Sequence, residues 1–265
     1  MKKRNNFLLG GIIFTIIAII GIGLWYQNSL QDNSLSNVEN KGVLVVGSSL
    51  PYGQMEFFDN NKPAGIDVDI VTEIAKRLGV KLDFKNYDWD DLFIATNKGE
   101  IDLAISSITI TPERERLILF SIPYFNAGQA IITNTNNEIK GINDLKDKKI
   151  AVEKNTTGHA EAKKYTQENL IYTFLNPEND NDMTHIINDL KNNEFDAIIV
   201  DYVQALDITK KHAGVKIVGV PFTKENYGIA TKISNDSLIK EVNFILQGMI
   251  DDGTLETIKT NWTKF

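Results

Sequence analysis

The apolar positions of this chain fall into one long run and many short ones. The long run is FLLGGIIFTIIAIIGIGLWY, residues 7–26, uncharged and long enough to cross a bilayer. Lys2, Lys3 and Arg4 precede it. Basic residues on that flank stay in the cytoplasm, so the rest of the chain is expected outside, whether residues 1–26 act as an uncleaved anchor or a signal segment. Residues 27–40 are polar and aperiodic and read as a flexible tether.

Beyond residue 40 the pattern alternates between strand and helix periods. Residues 43–47 predict a short strand. Ile70, Val71, Ile74, Ala75 and Leu78 then fall on one face of a helix that Gly79 stops. Asp67 and Asp69 stand where carboxylates cap free N–H groups. Residues 80–84 predict a strand, Asp88 and Asp91 a capping pair for a helix over 89–98, and residues 101–106 another strand. This β-α-β-α-β order implies a parallel sheet with helices on its faces. Ser106 and Ser107 then lie at a carboxyl strand end, where open α/β sheets bind ligands.

A second unit repeats the plan, with strands at 148–154, 171–174 and 195–201 and helices over 155–165 and 182–193. KGEIDLAISS and NNEFDAIIVD correspond, so that Ser107 and Asp201 hold the same place five residues past Asp102 and Asp196. The ending predicts one strand over 227–231, a helix over 237–250 and a last short helix from Thr254. These are too few elements for a third domain. The expectation is an α/β chain of two lobes: residues 41–125 with 226–265 as lobe 1, and 128–222 as lobe 2. Two crossings, near 124–128 and 222–227, would form a hinge with a cleft between the lobes.

Composition narrows the function. The chain of 265 residues carries a net charge of −7, which argues against a nucleic-acid partner. It has no cysteine, which excludes disulfides, thiol nucleophiles, thiolate metal sites and lipid attachment through an N-terminal cysteine. His159, His185 and His212 have no ligand spacing, so no metal and no cofactor is expected.

The chemistry concentrates in SSITITPER, residues 106–114. Thr111 reads as an N-cap and Pro112 as the first helical residue. Arg114 sits in the first turn, at the wrong end of a helix for a cation. A helix start and a guanidinium together suit a carboxylate, with Ser106, Ser107 and Thr109 beside it. Thr156 and Thr157 open a helix in the second unit and offer N–H groups to the same anion, while Asp201 offers a negative charge. Opposite poles in one cleft suit a zwitterion, and an α-amino acid is the commonest small one. Tyr52 and Trp89 stand near the same strand edge as stacking surfaces. Each residue also has a plainer reading: Arg114 paired with Glu113 or Glu115, Asp201 capping the next helix, Tyr52 and Trp89 in the core, Thr156 and Thr157 merely starting a helix.

GIDVDIVTEIAKRL, EIDLAISSITITPERERLILFSIPYF, IAVEKNTTG and FDAIIVD, in this order over residues 41–265, resemble bacterial extracellular solute-binding protein family 3, the amino-acid-binding components of ABC transporters. The resemblance implies a two-lobed periplasmic-binding-protein-like (type II) fold with a mixed, mostly parallel sheet in each lobe. It implies that Arg114 grips the ligand α-carboxylate with Thr109, Thr156 and Thr157. Asp201 and the Ser106–Ser107 groups would hold the α-amino group, with Tyr52 and Trp89 flanking the side chain. Ser49 falls where several relatives that bind cationic amino acids carry an aspartate, and the absence of that aspartate counts against a simple assignment to lysine, arginine or histidine. Glu153 falls at a position that varies, where a carboxylate would receive a cationic or an amide side chain. The implied partners are a free polar or charged amino acid and a membrane permease, with the apolar N-terminal segment as the membrane tether and a monomer as the state. A non-enzymatic receptor is the first reading. A cyclohexadienyl dehydratase-like enzyme with Glu153 as proton donor is the second, and a ligand-sensing module the third.

Overall fold

A computed structural model describes residues 32–166, 168–173 and 183–263. The chain divides into two compact units, Met1–Asn33 and Ser34–Phe265, and the described fold belongs to the second. The apolar run 7–26 lies outside the described residues, and no described helix is long and apolar enough to cross a membrane.

The first lobe runs through α1 (Ser34–Lys41), β1 (Val43–Ser48), the hairpin β2 (Phe57–Asp59) and β3 (Lys62–Ala64), α2 (Ile66–Leu78), β4 (Lys81–Asn86), α3 (Trp89–Lys98), β5 (Leu103–Ala104), α4 (Pro112–Glu115) and β6 (Ile118–Phe120). The chain crosses through β7 (Phe125–Ala127). The second lobe holds β8 (Gln129–Asn134), β9 (Ile150–Glu153), α5 (Thr157–Ala162), β10 (Leu170–Thr173), α6 (Thr184–Lys191), β11 (Ala197–Asp201), α7 (Tyr202–Lys211) and β12 (Val215–Val218). The return crossing is β13 (Glu225–Tyr227), and β14 (Ala230–Lys232), α8 (Asp236–Asp251) and α9 (Thr254–Trp262) complete the first lobe.

The two sheets share one plan. The first has the order β4-β1-β5-β14-β6, with β1 parallel to β4 and β5, and β14 antiparallel to both neighbours. The second has the order β10-β9-β11-β8-β12, again with three parallel strands and an antiparallel fourth, β8. β5 and β11, which end near Ser107 and at Asp201, are the central strands. The crossings β7 and β13 pair with each other as an antiparallel ribbon, so both passages between the lobes are bonded together.

Period-two sorting builds the cores. Ala130 and Ile132 of β8 and Ile198 of β11 pack on the face covered by α6 and α7, while Ile131, Ala197 and Ile199 pack on the opposite face against Ala162 of α5. Both faces are buried, which is why these strands are continuous apolar runs. In the first lobe Ile66, Ile70, Val71 and Ile74 of α2 are fully buried, and Gly79 in the left-handed region ends the helix.

Four expectations change. Residues 34–40 belong to α1, not to a tether: Leu35 and Val38 lie one turn apart and pack on the core, and Ser34 Oγ lies 3.0 Å from Ser237 Oγ at the start of α8. The single strand over 227–231 is two, because the chain leaves the ribbon at Tyr227 and joins the sheet at Ala230. Gly228 makes that turn possible, since a Cβ there would stand 2.9 Å from Ile110. The strand over 101–106 shortens to two paired residues before the chain bends outward. Asp88 holds the N-cap position of α3, but its side chain makes no cap hydrogen bond.

Gly128 links the ribbon to β8, and a Cβ on it would fall 2.3 Å from the Thr223 carbonyl oxygen. Gly128→Ala is expected to destabilise the fold by about 2 kcal/mol, measured as a lower midpoint in urea denaturation.

Candidate functional site

Thr111 caps α4 by accepting the Arg114 N–H at 3.3 Å, with Pro112 at the first helical position. This tight turn sends the Arg114 side chain back towards the strand edge. Its Nη1 donates to the Thr109 carbonyl at 2.9 Å, and its guanidinium lies 5.3 Å from the ring centres of both Trp89 and Phe93. No described carboxylate forms an ion pair with it; the negative groups that act on it are Asp201 and Glu225. Burial lowers its pKa. A desolvated cation of this kind, with donors left over, attracts an anion.

Glu225, which the sequence reading missed, lies between the lobes on β13. One of its carboxylate oxygens accepts from the Thr109 hydroxyl of the first lobe and the Thr157 hydroxyl of the second, each at 2.7 Å. The other accepts from Thr223 at 3.0 Å. The hydroxyl protons of Thr109, which the sequence placed beside the ligand, and of Thr157 are therefore committed to the protein. Thr156 is committed too: its hydroxyl donates to the Glu153 carbonyl and caps α5 by accepting the His159 N–H. The backbone N–H groups of Thr109 and Thr157 make no hydrogen bond to a described residue. Thr109 faces Tyr227 as a bridge flanked by the bonds Ile110 N–H to Asn226 and Gly228 N–H to Ile108, which leaves its own N–H unpaired.

Asp201 occupies the N-cap position of α7 without capping it. Its side chain turns into the cleft, where Gln129 Nε2 donates to Oδ1 and the Tyr227 hydroxyl to Oδ2. Tyr52, from the first lobe, also hydrogen-bonds it. Burial and the charge of Glu225 push the Asp201 pKa up to about 6, against the pull of those donors.

The floor of the cleft is a hydrogen-bonded set of hydroxyls and acids. Ser106 Oγ donates to Glu56 at 2.8 Å and accepts the Ser49 N–H at 3.0 Å. Ser107, held at φ 50°, donates its N–H to Asp67 at 2.8 Å. Asp67 thus fixes a strained residue at the strand end and does not cap α2, whose N-cap Gly65 has no side-chain partner. Asp69 instead accepts the Trp262 indole N–H at 2.7 Å. Glu56 and Asp67 are both fully buried, and their charges act on each other. Burial raises Asp67 to about 7 and Glu56 well above its ordinary value.

Across the mouth the lobes touch. The Trp89 indole donates to the Asn155 carbonyl at 3.3 Å, and Asn155 Nδ2 lies 3.0 Å from both Asp90 oxygens. Beneath this contact Glu153 is half-buried, and no described residue donates to its carboxylate. Burial, then Asp201 and Asp90, raise it to about 7.

All eleven residues singled out in the sequence (Ser49, Tyr52, Trp89, Ser106, Ser107, Thr109, Arg114, Glu153, Thr156, Thr157 and Asp201) line one cleft of about 490 Å³. Gln129, Asp90 and Gln204 line it as well and were not singled out. Gln129 opens β8 and Glu225 lies on the crossing strand β13, where nothing in the apolar pattern marks them. Among the described residues no group of His, Asp and Glu is arranged to hold a metal ion.

Residues 44–265 match the bacterial extracellular solute-binding proteins, family 3. The L-cystine-binding protein TcyJ of Escherichia coli (strain K12) is 30% identical over 259 residues, which cover 96% of this chain and 94% of TcyJ. An ancestral arginine-binding protein, solved with glutamine bound, superimposes with a TM-score of 0.76 at 38% identity, covering 84% of this chain and 99% of that one. The ancestral amino acid-binding protein AncCDT-1, a precursor of cyclohexadienyl dehydratase, gives 0.78 at 32% identity over 87% of this chain and 100% of its own.

Asp67, Glu153 and Asp201 have pKa values raised on folding, so their contribution to stability is present at low pH and lost as pH rises through about 6 to 7. The ligand-free chain is expected to melt at a lower temperature at about pH 8 than at about pH 5.5. Glu56→Gln removes one buried charge and should flatten that dependence in thermal scans.

Proposed function

The chain belongs to the bacterial extracellular solute-binding proteins, family 3, and on that premise we propose that its cleft holds a polar or charged L-amino acid for delivery to an ABC transporter permease. The observation that carries this reading is the pair of opposite poles in one cleft: Arg114 from the first lobe and Asp201 from the second. The ligand α-carboxylate meets the Arg114 guanidinium and the N–H groups of Thr109 and Thr157. The α-ammonium meets Asp201, whose donors Gln129, Tyr227 and Tyr52 hold it in place. The contacts between Trp89, Asp90 and Asn155 close the mouth and exclude water from both ion pairs.

Binding without chemistry fits these groups. Tyr52 and Tyr227 have phenols pushed up by burial and by Asp201, so they remain neutral donors. The apolar run 7–26 would hold the chain at the outer face of the membrane, with the lobes opening and closing on the β7–β13 ribbon.

One observation favours a second reading. Glu153, raised to about 7 and turned into the cleft, has the properties of a general acid, and AncCDT-1 is named as a dehydratase precursor. Incubation with prephenate or arogenate is expected to yield no aromatic product; turnover lost in Glu153→Gln would replace the receptor reading with the enzymatic one.

Titration calorimetry of the full-length chain in mild detergent, stripped of endogenous amino acid, should show binding of one or a few of the twenty amino acids. Arg114→Ala should weaken it by about 2 kcal/mol or more, roughly thirtyfold in Kd, with the circular dichroism spectrum unchanged. Absence of binding by all twenty would overturn the proposal.

A further inference from the structure

An amino acid's own charges account for two of the charged groups in the cleft, Arg114 and Asp201. The lining also carries Asp88, Asp90 and Glu153 against a single further cation, Lys154. Three of these four are exposed, and Asp90 is bonded to Asn155. Glu153 differs from them. It is half-buried, opens on the cleft, and receives no hydrogen bond or ion pair from any described residue. A carboxylate in that position needs either a proton or a cation. Leu50, Pro51 and Tyr87 line the same cleft and provide apolar surface for a methylene stem.

We propose that the cleft selects an amino acid whose side chain ends in a cation, received by Glu153, with Asp90 adding negative charge at the mouth. The assignment rests on the amino-acid reading above and names the class of side chain within it. Glu153 comes from the second lobe, at the end of β9. A cationic side chain held there bridges the lobes a second time, in addition to the zwitterion bridge between Arg114 and Asp201.

The charged groups that act on Glu153 are Asp201 at the end of β11 and Asp90 on α3; the Tyr52 phenol interacts with it from the first lobe and stays neutral, Lys154 follows it in the chain, and Arg114 lines the cleft on the first-lobe side. With Glu153 titrating near 7, a cationic ligand binds its ionised form and displaces a proton, while a neutral amide gains nothing from ionisation. Affinity for the cation relative to a neutral isostere therefore rises with pH. Asp201 acts on the α-ammonium of both ligands and cancels in the ratio.

L-Arginine and L-citrulline, of nearly the same shape but differing in side-chain charge, make the test. Calorimetry on the full-length chain should show arginine binding more tightly than citrulline, with the ratio of affinities growing by up to about tenfold between pH 6 and pH 8. Glu153→Gln should abolish that pH dependence and bring the two affinities together while citrulline binding persists. Citrulline binding as well as arginine at pH 8, or Glu153→Gln weakening both ligands equally, overturns the cationic assignment and leaves the amino-acid reading standing. If neither ligand binds and none of the twenty amino acids binds, the amino-acid reading fails and this inference fails with it.

Discussion

Two hydroxyls from opposite lobes donate to one oxygen of Glu225, and the rest of the site is arranged around that junction. Thr109 lies in the first lobe's serine and threonine run, Thr157 opens α5 of the second lobe, and Glu225 lies on the ribbon that joins them. Two bonds of 2.7 Å to one anion hold these three segments together. Charge-assisted hydrogen bonds are shorter and stronger than neutral ones, so the junction is an effective tie. It sets Arg114 and Asp201 into the same cleft although they belong to different lobes.

Acids dominate the interior of this junction. Asp201, Glu225, Glu56 and Asp67 are all buried, and Arg114 is the cation among them. Burial works against the charges of Asp201, Glu56 and Asp67, and a neighbouring carboxylate adds to it at Asp201 and Glu56. The protein answers with neutral donors: Gln129 and Tyr227 on Asp201, Thr109, Thr157 and Thr223 on Glu225, Ser106 on Glu56. Each donor holds its acid in one orientation, so the negative pole of the cleft is preorganised before anything binds. Glu153 lacks such a donor, which separates it from the structural acids and ties it to whatever enters.

The shared plan of the two sheets explains why short sequence correspondences located a site. β5 and β11 are each the central strand of a five-stranded sheet, and their carboxyl ends face each other across the cleft. A strand end is a local feature, set by the apolar run before it and the polar residue that closes it. Ser107 and Asp201 were legible for that reason. Arg114 was legible because its place in a helix start contradicts the helix dipole. Glu225 and Gln129 were not, since they lie on crossing strands of three residues or at a strand entry, too short for a periodic signal. The Thr109 hydroxyl was legible as a residue but not as a role, because Glu225, distant in sequence, claims its proton; the Thr157 N–H, read as a donor to the ligand, makes no hydrogen bond to a described residue.

By itself the sequence determined the class of fold, the order of its main strands and helices, and eleven of the residues that meet in the cleft. Most of these follow from periodicity, glycine stops and caps, all of which act over a few residues; Ser49 and Glu153 were singled out through the family resemblance alone. Tertiary structure alone decided that residues 34–40 fold onto α8, that residues 227–231 divide between ribbon and sheet, and that Asp67 supports Ser107 and does not cap its helix. It also decided which polar atoms remain available to a ligand. The physical reason is that hydrogen bonds and burial are shared between segments far apart in the chain: whether a hydroxyl or a carboxylate is free depends on its neighbours in space, and local pattern does not name them.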